Sequence, residues 1–297
     1  MDEPNKSRLE RLRTNNIPRY LFRIWSPASG GGEAGLNSID QVCSHAFNRG
    51  LGHQNIYDMT FEELVQMARF HYRGIEAFDR LGSPVPPTEF SSWAASLKAA
   101  FAYVRLTRDT YLAMIDTKVL GDGVKVWHVP HLLEDLAEAG DHEYLAHGII
   151  RGAGYKAVAL DRLNEAGLRS LTECSGSPEE ILAGCKRVAG LFGDAVAMPL
   201  ALALLTHIPR RWYQYAEPSR EDLDVILEGL KPLEILEDWA DTNSIVAEDG
   251  VNPGAYEDVE RLTILMRVLT EYRYGKKGDE GEGSAMKFEK LELLDGR

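Results

Sequence analysis

The chain first commits to an element at Tyr20-Leu21-Phe22-Arg23-Ile24-Trp25. Aromatic and β-branched residues closed by Ser-Pro predict a strand, with Arg23 in its middle. YLAMID at 111–116 predicts a buried strand and FSSW at 90–93 a short one. Residues 143–150 open on an acidic side chain and become apolar, and a further strand is predicted at 155–160. Residues 60–80 have helical spacing, with Thr60 as N-cap and Glu63 completing a capping box. Leu64, Met67, Ala68 and His71 fall on one face. Residues 96–103 predict an apolar helix, and 132–139 a helix stopped by Gly140. From Asp161 the pattern is helical, over 178–207, 219–239 and 255–273, with Ser177-Pro178-Glu179-Glu180 as a helix start. Residues 1–18 read as a charged leader, 19–172 as an α+β domain, 173–274 as a helical region and 275–297 as a flexible tail.

Composition narrows the class. A hydrophobic fraction of 44% and a charged fraction of 27% over 297 residues are those of a soluble globular protein with a sizeable core. A net charge of −13 argues against a surface that tracks nucleic-acid phosphates. Cys43, Cys174 and Cys185 are odd in number and lack metal spacing, which predicts a reduced, intracellular compartment. The N-terminus has no apolar segment of signal-peptide type. Residues 188–208 are the most membrane-like stretch, but they hold Asp194, Pro199 and His207. Their apolar run of about a dozen residues is short of the ~20 needed to span. The expectation is a cytoplasmic protein with a buried core helix there and no membrane partner.

Several chemical signals are weak. Gly30-Gly31-Gly32 lacks the Lys and Ser/Thr of a phosphate loop, and Gly152-Ala153-Gly154 lacks the third glycine of a dinucleotide fingerprint. His142 and His147 are five residues apart, which separates them on a helix and puts them on opposite faces of a strand. The proline in His128-Val129-Pro130-His131 disfavours regular helix, so no catalytic metal is expected.

What remains is an Arg inside the first strand, a Ser after an aromatic on a second, and a Glu opening a third. In YLFRIWS, EFSSWAASLKAAFAYV, YLAMID and DHEYLAHGII the chain resembles the mono-ADP-ribosyltransferase superfamily of the Arg–Ser–Glu, toxin-like type. It resembles more closely an uncharacterised fungal domain family that is a divergent branch of that fold. The resemblance covers about residues 18–160. It implies split, twisted β-sheets with flanking helices, followed here by an all-α C-terminal region. It implies NAD as substrate, no metal, and transfer of ADP-ribose to a protein or small-molecule acceptor, or to water.

The resemblance also implies residue roles. Glu143 takes the catalytic position, with Ser92 holding it. Asp141 stands where the family carries Gln or Glu to orient the acceptor, one methylene shorter here. Arg23, Ile24, His45, Ser91 and Trp93 fall at positions that contact NAD, and residues 124–140 would face the acceptor. Of the family's Ser-Thr-Ser triplet only the first serine is kept, in Ser92-Trp93-Ala94. The residue types suit the chemistry. Cleaving the nicotinamide–ribose bond passes through an oxocarbenium-like state that a carboxylate stabilises. A guanidinium grips a diphosphate with two parallel bonds, and a hydroxyl orients the carboxylate. The alternative is a catalytically inactive protein of this fold serving as an interaction module. In that case Arg23 is a buried arginine paired with a carboxylate, and Ser92 is a solvent-facing strand residue.

Overall fold

The computed structural model describes residues 1–15, 17–27, 36–73, 87–103, 109–133, 140–173, 176–208, 218–235 and 257–274. In chain order these form α1 (Glu3–Asn15), β1 (Tyr20–Trp25), β2 (Gln41–Val42), α2 (His45–Asn48), α3 (Phe61–Arg73), β3 (Phe90–Ala94) and α4 (Leu97–Ala102). There follow β4 (Tyr111–Asp116), β5 (Lys125–His128), α5 (Val129–Leu132), β6 (Glu143–His147), β7 (Ile150–Arg151) and β8 (Tyr155–Ala159). The rest is helical: α6 (Leu160–Glu165), α7 (Leu168–Glu173), α8 (Pro178–Gly190), α9 (Asp194–His207), α10 (Arg220–Leu230) and α11 (Glu257–Tyr274). The architecture is α+β, as the pattern predicts.

The main sheet has the order β5-β6-β3-β1-β4-β8, every neighbour antiparallel, and β2 and β7 form a separate ribbon. β1 pairs with β4 along its whole length, from Tyr20↔Asp116 to Trp25↔Tyr111. β3 pairs with β6 from Phe90↔His147 to Ala94↔Glu143. Between β1 and β3, among the described residues, the ladder holds a single pair, Phe22↔Ala94.

Alternation along the strands sorts the core into layers. Leu21, Trp25, Trp93, Ala113, Tyr144 and Tyr155 share one face with Val42 and Ile150 of the ribbon. The opposite face carries two separate cores. Phe22, Ile24, Leu112 and Met114 pack against the C-terminal helices through Val188, Leu200, Leu204, Leu265 and Leu269. Phe90, Leu145 and Trp127 pack against α1 and α3 through Leu9, Leu64 and Ala68.

Local chemistry explains most boundaries. The expected capping box opens α3: Thr60 N donates to Glu63 Oε2 at 2.8 Å and Glu63 N to Thr60 Oγ1 at 3.1 Å. The stretch read as a charged leader is helix α1, docked by Leu9, which is wholly buried and accepts from Trp127 Nε1 at 3.0 Å. Pro130 does not prevent α5, because it stands in the first turn, where no N–H is required. The helix expected over 178–207 is divided into α8 and α9 at Gly193, whose φ of +86° favours glycine. α9 is buried on nearly all sides. No helix among the described residues is long and apolar enough to cross a membrane. The Gly30–Gly32 loop, residues 134–139 and the tail 275–297 lie outside the described residues.

The Tyr20↔Asp116 end of the β1–β4 ladder is fastened by a buried ion pair. Arg19 Nε donates to Asp116 Oδ1 at 3.1 Å and to Oδ2 at 3.0 Å. Asp116→Ala removes the buried carboxylate that the guanidinium pairs with and is expected to cost about 3–5 kcal/mol of stability. The readout is a lowered urea midpoint at pH 7.

Candidate active site

The two cores of the Phe22 face meet on β3. Phe90 belongs to one and Ala94 to the other, with Ser92 exposed between them. Ser92 pairs with Leu145 of β6, and Glu143 pairs with Ala94. Ser92 and Glu143 are therefore diagonal neighbours on one face, about 7–8 Å apart by sheet geometry.

Arg23 comes from the other side of the sheet. Alternation groups it with Leu21 and Trp25, off the Ser92 face. Past the single Phe22↔Ala94 pair its guanidinium reaches β3, where Nη1 donates to the Ser92 carbonyl at 2.7 Å. Its Nε is buried without a hydrogen-bond partner, and no carboxylate among the described residues pairs with it. Arg19, by contrast, has Asp116. Burial pulls the Arg23 pKa down to about 10, which leaves it protonated at neutral pH.

His71, from α3, completes this cluster. Its Nε2 lies 2.7 Å from Ser92 Oγ and its Nδ1 3.0 Å from Thr88 Oγ1. Burial, then repulsion from Arg23 and His45, pushes its pKa down to about 3, so the ring is neutral at pH 7. Arg23 and His45 both lie close enough to His71 to disfavour its protonated form.

Glu143 is presented by a tight turn in which its N–H donates to Gly140 O at 2.9 Å. Gly140 N in return donates to Glu143 Oε2 at 3.1 Å. A Cβ at Gly140 would stand 2.5 Å from Cε1 of His142, so any larger residue there must displace the His142 ring. The other carboxylate oxygen, Oε1, accepts from Tyr103 Oη at 2.5 Å, at the C-terminal end of α4. The same hydroxyl is 2.6 Å from His142 Nε2, and the two rings stack at 5.7 Å. A carboxylate only accepts, so Tyr103 donates to Glu143 and its oxygen accepts from the His142 Nε2–H. Burial lowers the His142 pKa. His128 Nε2 bonds the Asp141 carbonyl at 2.8 Å, and burial brings the His128 pKa down to about 4.

Of the residues expected from the sequence, Arg23 and Ser92 are in contact and Glu143 stands diagonally from Ser92. The bonds differ from the expectation: the Ser92 hydroxyl engages His71, and the Glu143 carboxylate is held by Tyr103 and Gly140. Ile24 is buried beneath the C-terminal helices. Ser91 and Trp93 are buried on the opposite face and bond each other, Trp93 Nε1 to Ser91 Oγ at 2.9 Å. Asp141 occupies the turn before Glu143, and His45 opens α2. His71, Tyr103 and His142 were not foreseen as site residues. The buried face of α3 includes His71, but nothing local joins Tyr103 to a carboxylate 40 residues on. Among the described residues no group of three or more His, Cys, Asp or Glu is placed to hold a metal ion. Comparisons with protein-family models, curated proteins and solved structures find no match for the chain.

His71, His128, His142 and His207 all have lowered pKa values, with burial the largest cause. Once unfolded, each binds a proton more readily, so stability falls as pH drops below about 6.5. For His71 the loss continues to about pH 3. His71→Asn is expected to flatten the fall between these limits, as read from urea midpoints over a pH series. An unchanged slope would show that His71 titrates as an ordinary imidazole.

Proposed function

We propose that the protein consumes NAD, moving its ADP-ribose to a protein or small-molecule acceptor or to water. The observation that carries this reading is Arg23, a protonated guanidinium with no carboxylate partner among the described residues, at the gap between β1 and β3. A diphosphate supplies the missing negative charge and accepts the two parallel bonds that a guanidinium offers. The main sheet is one six-stranded sheet, thinnest between β1 and β3, where a single pair holds it.

Glu143, on the Ser92 face, is the carboxylate positioned for the ribose. It would accept a hydrogen bond from the ribose hydroxyl as positive charge develops at the neighbouring carbon and nicotinamide departs. Asp141, shorter by a methylene than the Gln or Glu of the family, leaves room for water to compete as acceptor.

The test is nicotinamide release from NAD by the purified protein beside Glu143→Gln and Arg23→Lys. Release is expected from the wild type, with a loss of about 100-fold or more in Glu143→Gln. Arg23→Lys keeps the charge but not the fork, so its main effect is a higher KM for NAD. Absence of release, together with no thermal stabilisation by millimolar NAD, would reject the enzyme in favour of an interaction module.

A further inference from the structure

We infer that the C-terminal helix α11 is part of the active site: Asp258, acting through α4, positions Tyr103 and thereby the carboxylate of Glu143. This rests on the reading of Glu143 as the group that handles the ribose.

The connection can be followed bond by bond. Asp258 stands in the first turn of α11 and is 6% exposed. Its carboxylate accepts from Ser96 Oγ at 2.9 Å on both oxygens and from Lys98 N at 3.1 Å. Ser96, wholly buried, caps α4 by accepting from Ala99 N at 2.8 Å. A helix start leaves backbone N–H groups without partners, and a carboxylate there both accepts from them and favours the dipole. Asp258 thus fixes where α4 begins.

α4 is short, so its two ends move together. Tyr103 follows its last residue and delivers its hydroxyl to Glu143 Oε1. The His142 carbonyl accepts from Ala95 N at 2.8 Å, tying the turn that carries Glu143 to the residue just before the Ser96 cap. The order of action is Asp258, α4, Tyr103, Glu143, with His142 donating to the Tyr103 oxygen from behind. Gly140 N pins the second carboxylate oxygen, so the Tyr103 bond decides the remaining freedom of the group. An orientation fixed before the substrate arrives is what charge stabilisation in a transition state requires. Tyr103 and Asp258 are positioning residues in this scheme.

The experiment is a double-mutant cycle on the full chain, reading kcat and KM for nicotinamide release from NAD. Tyr103→Phe and Asp258→Asn are each expected to lower kcat about 10–100-fold with KM unchanged. Asp258→Asn should add little once Tyr103 is Phe, because both act through one carboxylate. Should Asp258→Asn fail to fold, Ser96→Ala cuts the same link and takes its place in the cycle. Losses that simply add, or a Tyr103→Phe variant as fast as wild type, would overturn the inference and leave the NAD reading standing. A wild type that releases no nicotinamide would overturn both.

Discussion

Six residues of β1 pair with β4 and, among the described residues, one pairs with β3. That asymmetry is the constraint on which the centre of the molecule depends. β1 is held along its full length on one side and fastened at its foot by Arg19 and Asp116. β4, by contrast, pairs along both edges, with β1 and with β8, whereas β1 meets β3 only at Phe22 and Ala94. The ladder therefore opens above Phe22, and backbone groups that face the opening need other partners. Arg23 supplies one, donating to the Ser92 carbonyl. A charged side chain has entered the sheet where a backbone N–H would ordinarily serve.

The opening coincides with a seam between two cores. α1 and α3 hold the β3-β6-β5 part of one sheet face, and α8, α9 and α11 hold the part around β1 and β4. Polar groups gather along this seam because neither core closes over it. His71 arrives from the helices of one side, while Tyr103 arrives on α4, which is anchored to the other. The assembly is a meeting of two halves of the fold, with Ser92 and Glu143 on the strands between them.

Much of this was legible in the sequence, and the limits have physical causes. β1 and β4 were readable from their composition alone, since short runs of β-branched and aromatic residues bounded by turn formers have few other uses. The α3 cap was equally plain, because its chemistry is complete within four residues. The break between α8 and α9 was not, as helical spacing continues through Gly193 and only its backbone angle ends the helix. At the site, Arg23, Ser92 and Glu143 were singled out by what the family resemblance implies. The partners of those side chains were hidden, because they depend on which faces meet. Ser91 and Trp93 differ from Ser92 by one position, yet alternation sends them to the far side of the sheet. Tyr103 and Asp258 meet the site through contacts of 40 and 162 residues in separation, beyond the reach of any local pattern.

The bond between Ser96 and Asp258 also sets an order of events during synthesis. The strands bearing Arg23, Ser92 and Glu143 leave the ribosome well before α11 exists, and chains generally begin to fold from the N-terminal side. Until Asp258 emerges, the first turn of α4 has only the Ser96 hydroxyl and water to satisfy it. A nascent chain can thus display every residue of the seam and still lack the tie that steadies Tyr103. The arrangement around Tyr103 is therefore complete only after its most distant contributor in sequence has been translated and α11 has docked.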